Sequence, residues 1–304
     1  MKVLVTGGLG FIGSHLVDQY IHNGYDVVVL DNLSTGALSN LNPDARLISM
    51  SLLDVTLEEC LRKEKPDIIN HHAAQVNVRN SVSNPIYDVE TNLLGTVRLL
   101  QAAGKVGIKK FIFASSGGTV YGQTPKIALP ETFITKPVSP YGINKLASEF
   151  YIDFYAKQYG FQSIILRYSN VYGSRQNPAS ESGVVSIFEN RIRNGLPPIV
   201  YGDGKQIRDY IHVSDVVAAN ILVSQLESLP HEILNVGTGK GTSLNELLAL
   251  FYRLYRGSKP PVYTNAKAGE LSFNVLSINK LTSLGWSPKI SLEEGIIQLS
   301  QEHD

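Results

Sequence analysis

Cysteine and net charge are both scarce in this sequence. Its 304 residues include a single cysteine, Cys60, which excludes an internal disulfide and a zinc site built on several thiolates. The 27 Lys and Arg residues balance 27 Asp and Glu residues, so the formal net charge is zero. A nucleic acid or an anionic membrane would favour a basic excess, and neither is therefore expected as the main partner.

Long apolar runs are also missing. No run approaches the roughly 18 residues that a transmembrane helix requires. The first residues enter a glycine-rich turn at Gly7 directly, without the apolar segment of a secretory leader. Hydrophobic residues still make up 43% of the chain and charged residues 18%, which is enough to build a core. We expect a soluble, globular, cytoplasmic protein.

The apolar residues that are present follow two alternating patterns. Short runs typical of buried strands stand at Val3–Val5, Val27–Leu30, Leu47–Ile48, Ile68–Ile69, Phe111–Phe113 and Ile164–Leu166. The segments between them have helical spacing, and this alternation predicts an α/β fold with a doubly wound parallel sheet. After about residue 170 turn residues become frequent and the predicted helices shorter. We predict a main domain over residues 1–170 and a smaller mixed α/β lobe over 171–304, some of whose elements return to the main domain.

A glycine-rich turn links the first predicted strand to the first helix. Its spacing, Gly7-x-x-Gly10-x-x-Gly13, lets the backbone approach a pyrophosphate that rests on the helix start. The alternative is an ordinary strand–helix turn, but the second strand ends in Asp31, eighteen residues after Gly13. A carboxylate there accepts hydrogen bonds from an adenosine ribose and repels a 2′-phosphate. We therefore predict a Rossmann domain that binds NAD in preference to NADP.

A tyrosine and a lysine share one turn at the start of a later helix, in Tyr141-Gly-Ile-Asn-Lys145. The same spacing recurs at Tyr201/Lys205, Tyr255/Lys259 and Tyr263/Lys267. Only Tyr141 follows an apolar strand that ends in hydroxyl residues, Ser115 and Ser116. A nearby ammonium favours the phenolate and makes tyrosine a usable base at neutral pH. The alternative is a tyrosine that only packs on the core, and the cofactor turn favours the catalytic interpretation.

These motifs together resemble the extended short-chain dehydrogenase/reductase family, in particular its UDP-glucose (UDP-galactose) 4-epimerases and related nucleotide-sugar enzymes. The resemblance covers nearly the whole chain. It is carried by Thr6-Gly-Gly-Leu-Gly-Phe-Ile-Gly13, Asp31-Asn-Leu-Ser-Thr-Gly36, His72-Ala-Ala-Gln75, Tyr141-Gly-Ile-Asn-Lys145, Arg167-Tyr-Ser-Asn170, Arg208-Asp-Tyr-Ile-His212 and Leu284-Gly-Trp286.

The resemblance implies a role for each matching position. Tyr141 corresponds to the catalytic base and Lys145 to its partner, which also holds the nicotinamide ribose. The expected cofactor-binding residues are Gly7, Gly10, Phe11, Ile12, Gly13, Asp31, Asn32, Ser34, Thr35, Gly36, Ala73, Ala74, Gln75 and Asn92, with Tyr141 and Lys145. The lobe over 171–304 is expected to bind the nucleotide sugar. The expected substrate-binding residues are Ser116, Thr119, Asn170, Arg208, Lys267 and Glu270.

The sequence departs from the family pattern at several of these positions. Gly117 stands where the catalytic Ser or Thr is usual, so the hydroxyl must come from Ser116 or Thr119, and we prefer Ser116. Lys267 stands where an Arg usually meets the diphosphate, which keeps the charge and loses the bidentate fork. Gly117 and Gly118 also replace the acidic pair of sugar 4,6-dehydratases, which argues against dehydration.

The resemblance implies an isomerase of galactose metabolism, in which tightly bound NAD supports interconversion of UDP-glucose and UDP-galactose through a 4-keto sugar. One alternative substrate is UDP-N-acetylglucosamine, because Asn274 stands where related epimerases place either a tyrosine or a smaller residue. A dehydratase or decarboxylase of the same superfamily, and a dinucleotide-sensing module without catalysis, are further alternatives. A sensing module has no need of the Tyr141/Lys145 pair.

Partners and metals follow from the same comparison of motifs. The resemblance implies a homodimer joined through the helices predicted over Asp88–Lys105 and Tyr141–Tyr159. We expect no metal, because His71 and His72 stand at a strand end without a spaced carboxylate or cysteine. The expected ligands are therefore NAD and a UDP-sugar.

Overall fold

The computed structural model describes residues 1–178, 183–229, 231–255, 257–266 and 270–301. Its strands are β1 (Lys2–Thr6), β2 (Asp26–Asp31), β3 (Arg46–Ser49), β4 (Ile68–His71), β5 (Lys110–Ser116), β6 (Gln162–Tyr168), β7 (Asn170–Tyr172), β8 (Ile199–Tyr201), β9 (Ile207–Arg208), β10 (Tyr210–His212), β11 (His231–Val236), β12 (Thr242–Ser243), β13 (Val262–Thr264) and β14 (Phe273–Asn274). The main sheet has the order β11-β6-β5-β4-β1-β2-β3. Each neighbouring pair in it is parallel, which confirms the predicted doubly wound fold.

The α-helices connect these strands and cover both faces of the sheet. They are α1 (Phe11–His22), α2 (Leu57–Glu64), α3 (Val78–Ser83), α4 (Pro85–Asp88), α5 (Gly95–Val106), α6 (Pro140–Tyr159), α7 (Val184–Arg193), α8 (Val213–Gln225), α9 (Leu244–Leu254), α10 (Asn279–Ser283) and α11 (Leu292–Gln301). A 3₁₀ turn spans Leu38–Asn40 and a π-helical segment spans Val89–Leu94. Within the described ranges, none of the helices has the length and hydropathy needed to cross a bilayer.

Two hydrophobic cores lie on the two faces of the main sheet. Val3 and Val5 pack with α1 and α8 on one face, whereas Leu4 between them packs with α2, α5 and α6 on the other. Strand side chains alternate between the faces, so a strand covered on both sides is apolar at every position. Each fully buried aliphatic side chain contributes about 1.5–3 kcal/mol. The continuous apolar runs of the sequence follow from this double coverage.

The helix predicted over Asp88–Lys105 is divided in the structure. Helix α4 ends at Asp88, the π-helical segment follows, and α5 begins at Gly95. In that segment the carbonyl of Asn92 accepts hydrogen bonds from the Thr96 hydroxyl at 2.7 Å and the Ser148 hydroxyl at 3.2 Å. The wider turn presents the Asn92 carbonyl to hydroxyl donors, one of which comes from α6.

Elements after residue 170 contribute to two parts of the fold. Helix α8 packs on α1, and β11 extends the main sheet beside β6. Three small sheets, with orders β10-β7, β12-β9-β14 and β13-β8, lie outside the main sheet. A third core beneath them collects Phe188, Leu247, Phe251 and Ile296 from α7, α9 and α11. The domain boundary at residue 170 stays a prediction.

Candidate active site

The glycine turn between β1 and α1 is closely packed. Gly7 has a φ of 67°, and a Cβ there would lie 2.7 Å from the backbone nitrogen of Ala73. A Cβ on Gly13 would overlap the Gly7 carbonyl oxygen. Helix α1 begins after Gly10 with no capping side chain and no acidic residue in its first turn. Its first N–H groups therefore suit an anion such as a pyrophosphate.

Asp31 ends β2 beside this turn and is 6% exposed. Its carboxylate accepts hydrogen bonds from the backbone N–H of Leu9 at 3.0 Å and of Leu33 at 2.8 Å. A Cβ on Gly36 would lie 3.0 Å from either carboxylate oxygen, so the following loop passes close to Asp31. Asn32, Ser34 and Thr35 lie exposed on that loop. The acid is thus fixed next to the glycine turn, as an adenosine-ribose site requires.

The loop after β4 forms a second wall of the same edge. Ala73 donates its N–H to the Thr6 hydroxyl at 3.2 Å, which holds the loop against β1. Gln75 and Asn92 exchange two hydrogen bonds, of 2.8 and 2.9 Å, between the Gln75 backbone and the Asn92 amide. Of the residues predicted here, Ala73 therefore lies against Gly7, and Gln75, two residues further along the loop, lies against Asn92.

The predicted catalytic residues meet at the carboxyl end of β5. Pro140 begins α6 and the Ser139 hydroxyl caps it, accepting the Gly142 N–H at 3.2 Å, which places Tyr141 in the first turn. The hydroxyls of Tyr141 and Ser116 share a hydrogen bond. Burial raises the pKa of Tyr141, the charge of Asp88 raises it further, and the Ser116 hydrogen bond lowers it.

Lys145 lies one turn along α6 and is 4% exposed. Its ammonium donates to the Ala114 carbonyl at 2.9 Å and stands 5.8 Å from the centre of the Tyr141 ring. Burial lowers the pKa of Lys145 to about 8, against the opposing charges of Asp88 and Glu149. A cation so close to the phenol favours the phenolate.

The Leu276 side chain lies against the glycine at position 117. A Cβ on Gly117 would lie 2.6 Å from Leu276 Cδ1, so a serine or threonine at this position would require the Leu276 side chain to shift. The Gly117 carbonyl accepts a 3.0 Å hydrogen bond from the Asn274 amide, whose side chain is fully buried. Thr119 is turned back toward the Ser116 carbonyl, with its hydroxyl 3.5 Å away. Of the two candidate hydroxyls, the one on Ser116 contacts Tyr141.

Two of the residues predicted to bind substrate, Asn170 and Arg208, lie on the small sheets. Arg208 on β9 forms an ion pair with Glu270 at 3.8 Å, and Asn274 on β14 pairs directly with Arg208 in register. Asn170 begins β7, where its backbone N–H donates to the Asp209 carbonyl at 2.9 Å and its buried amide oxygen has no partner among the described residues. Lys267 lies outside the described residues.

His71 and His72 have other partners than a metal. The ring nitrogens of His71 lie 2.6 Å from the Thr6 hydroxyl and 2.9 Å from the Thr96 hydroxyl. His72 bonds to the Tyr168 hydroxyl at 3.0 Å. Burial lowers the pKa of His72 to about 3 and that of His71 well below its usual range, so both rings are neutral at pH 7.

Two buried acids beside this site, Asp88 and Glu149, were not predicted from the sequence. Asp88 is fully buried under Gln75 and Asn92, and Glu149 forms a buried ion pair of 2.6 Å with Arg167. Acids in helices are usually exposed, so the sequence pattern alone indicates a solvent face. Two signals for these acids are present in the sequence. One is the set of amide residues around Asp88, and the other is Arg167, a charged residue within an otherwise apolar strand.

The sequence matches a family of known proteins over most of its length. The family model described as "NAD dependent epimerase/dehydratase family" matches residues 3–237. A putative UDP-glucose 4-epimerase of Methanocaldococcus jannaschii is 46% identical, with 97% of this chain and 95% of the relative covered. The UDP-glucose 4-epimerase of Mycolicibacterium smegmatis is 38% identical, with 97% and 96% covered.

Two solved structures resemble the whole fold. The UDP-glucose 4-epimerase of Thermotoga maritima with UDP-glucose superposes with a TM-score of 0.96 at 43% identity, covering 100% of both chains. The complex of the Thermus thermophilus UDP-glucose 4-epimerase with NAD gives a TM-score of 0.94 at 42% identity, covering 100% of this chain and 98% of that one.

Proposed function

The chain belongs to the NAD dependent epimerase/dehydratase family, and from that membership we propose that it is a nucleotide-sugar 4-epimerase. It interconverts UDP-glucose and UDP-galactose and uses NAD as its cofactor. The observation that carries this proposal is the hydrogen-bonded pair of Tyr141 and Ser116, with the Lys145 ammonium beside the phenol ring. The glycines at positions 117 and 118 leave no acidic pair for a dehydration.

The cofactor fits the carboxyl edge of the main sheet. The uncapped start of α1 and the glycine turn would hold its pyrophosphate, and Asp31 would hold its adenosine ribose. The Asp31 charge opposes a 2′-phosphate, which favours NAD over NADP. When bound, NAD supplies a reversible hydride acceptor for C4 of the sugar.

The residues of this chain move the proton. Tyr141, as phenolate, takes the proton of the sugar 4-hydroxyl and returns it when the epimeric hydroxyl forms. Ser116 orients the same oxygen through its hydroxyl, and the Lys145 ammonium stabilises the phenolate. Asn170, Arg208 and Lys267 bind the diphosphate, and Glu270 binds the nucleoside ribose.

The first prediction tests the activity and the base together. Protein as purified is expected to carry NAD rather than NADP and to interconvert the two UDP-sugars without added cofactor. Tyr141→Phe should retain NAD and lose most of the turnover, because no group remains to take the proton. Tyr255→Phe is the matched control, since Tyr255 has the same Tyr-x-x-x-Lys spacing and packs in the third core. Turnover of Tyr141→Phe within tenfold of the parent would rule out the assignment.

The second prediction separates the two candidate hydroxyls. Ser116→Ala should lower kcat by the roughly 10²–10³-fold that is typical of one lost positioned donor. Thr119→Ala should change kcat much less, because its hydroxyl is turned toward the Ser116 carbonyl. The opposite ranking would transfer the role to Thr119.

A second candidate substrate is UDP-N-acetylglucosamine. Asn274 lies against Gly117, next to Ser116, and its buried amide oxygen has no partner among the described residues. An asparagine crowds C2 of the sugar less than a tyrosine would, and its amide oxygen can accept a hydrogen bond from an N-acetyl N–H.

The third prediction compares the two sugar series. The unmodified enzyme should epimerise UDP-N-acetylglucosamine at a rate comparable to UDP-glucose, and Asn274→Tyr should abolish that activity selectively. The melting temperature of the variant checks that it folds. Negligible turnover of the N-acetylated sugar by the unmodified enzyme would refute the second candidate.

We propose that the protein is a homodimer joined through the segments Asp88–Lys105 and Tyr141–Tyr159. Apolar side chains stand exposed there, with Phe150 at 67%, Phe154 at 57% and Leu94 at 44% exposure. Such a patch is usual at an interface.

The fourth prediction concerns this assembly. Sedimentation equilibrium should give twice the 33.3 kDa chain mass, and Phe150→Lys should shift the protein toward the monomer. Val55→Lys, which places the same charge at an exposed position outside the patch, is the control. A monomeric parent protein would contradict the proposal.

The activity implies a setting in galactose metabolism in the cytoplasm. The single cysteine, Cys60, is unpaired, as is usual in a reducing compartment. Recovery of the native protein in a membrane or secreted fraction would contradict this location.

A further inference from the structure

Asp88 is a buried carboxylate to which the proposed reaction gives no role. It ends α4 and is 0% exposed. Its Oδ1 accepts hydrogen bonds from the side-chain amides of Gln75 at 2.7 Å and Asn92 at 2.9 Å, and its Oδ2 accepts one from Asn144 at 2.6 Å. Three amide donors from three different segments hold this carboxylate in place.

The charges around Lys145 show what this carboxylate balances. Among the described residues Lys145 makes no ion pair, and its ammonium contacts the Ala114 carbonyl and the rings of Phe113 and Tyr141. Glu149, one turn further along α6, is engaged by Arg167 through hydrogen bonds of 2.6 and 3.0 Å. Within the described part of the site, Asp88 is the acid near Lys145 that has no cationic partner of its own.

The other titratable neighbours of Lys145 carry no negative charge that could take the place of Asp88. His71 and His72 approach Lys145 from the end of β4, and burial keeps both rings neutral. Tyr141 faces Lys145 from the start of α6. Asn144, which precedes Lys145 in the chain, donates a hydrogen bond to Asp88 and so holds this carboxylate against the turn of α6 that carries Lys145.

We propose that Asp88 is the buried counter-charge of Lys145, a positioning residue that keeps this lysine protonated and so sets the pH range in which Tyr141 acts. The inference rests on the proposed function, because it takes Tyr141 as the base. A buried charge without a compensating partner is costly, and the opposite charge of Asp88 supplies that compensation for Lys145.

The direction of the effect follows from the charges. Asp88 raises the pKa of Lys145 against the burial that lowers it to about 8, and it also raises the pKa of Tyr141. Removing the negative charge therefore lowers both values. The alkaline limb of the activity profile, where Lys145 loses its proton, moves to lower pH.

The test is Asp88→Asn, which keeps the shape and removes the charge. We expect the alkaline limb of the kcat profile to move down by roughly one pH unit. Titration of the Lys145 ammonium by ¹⁵N NMR, with the signal assigned by its loss in Lys145→Gln, should show the same shift without substrate. Glu90→Gln removes an exposed charge from the neighbouring π-helical segment and should move neither.

A charge swap supplies the second arm. Asp88→Asn combined with Asn144→Asp keeps one carboxylate and one amide across the same hydrogen bond, and should return the profile to that of the parent. If Asp88→Asn fails to fold, the swap decides alone: a parental profile supports the proposal and a displaced one overturns it.

Two outcomes separate this inference from the proposed function. If the parent protein lacks epimerase activity, the proposed function fails, and the NMR titration still tests the charge pair. If the parent is active and Asp88→Asn lowers turnover while leaving both the profile and the Lys145 titration unmoved, Asp88 is only structural and the inference is overturned.

Discussion

Parallel pairing of neighbouring strands is the constraint on which the whole site depends. The register places Thr6 beside His71, His71 beside Phe113, and Ser116 beside Tyr168. The carboxyl ends of successive strands therefore meet at one edge, where helix starts and loops converge. The glycine turn, the Ala73–Gln75 loop and Ser116 all lie at that edge because their strands share this pairing. Only α6 must then be positioned, and Pro140 with the Ser139 cap does so by starting it at Tyr141.

The parts predicted from sequence are those that local pattern determines. Strand runs such as Val27–Leu30 are apolar throughout because both faces are covered, so their position could be identified without tertiary information. The division of the helix before Gly95 could not, because its π-helical turn packs against α6, where Ser148, 56 residues after Asn92 in the chain, donates to the Asn92 carbonyl. The burial of Asp88 escaped prediction for the same reason, since one of its amide partners, Asn144, lies as far away in the chain.

The departure at Gly117 is likewise explained by contacts that no motif records. Leu276 from the chain's last third fills the space that a side chain at 117 would need. A larger residue at 117 would have to displace Leu276, whereas the hydroxyl one residue earlier, on Ser116, already reaches Tyr141. Asn274 reinforces this arrangement by donating to the Gly117 carbonyl. The residue that replaces the family's usual hydroxyl is thus determined by packing between the small sheet and the end of β5.

The buried charges at this site are arranged in two ways: Glu149 and Arg167 form a direct ion pair, whereas Lys145 makes no ion pair among the described residues. Glu149 and Arg167 form an ion pair with two hydrogen bonds, and the Ser115 hydroxyl donates a further one to Glu149 at 2.5 Å. These opposite charges neutralise each other and join α6 to β5 and β6. A lysine paired directly with a carboxylate in the same way would stabilise the phenolate of a neighbouring tyrosine only weakly. Lys145 instead contacts a carbonyl and two rings, and Asp88, the carboxylate proposed to compensate its charge, makes no ion pair with it. The ammonium charge of Lys145 therefore acts on Tyr141, while Asp88 keeps the total charge of the interior balanced.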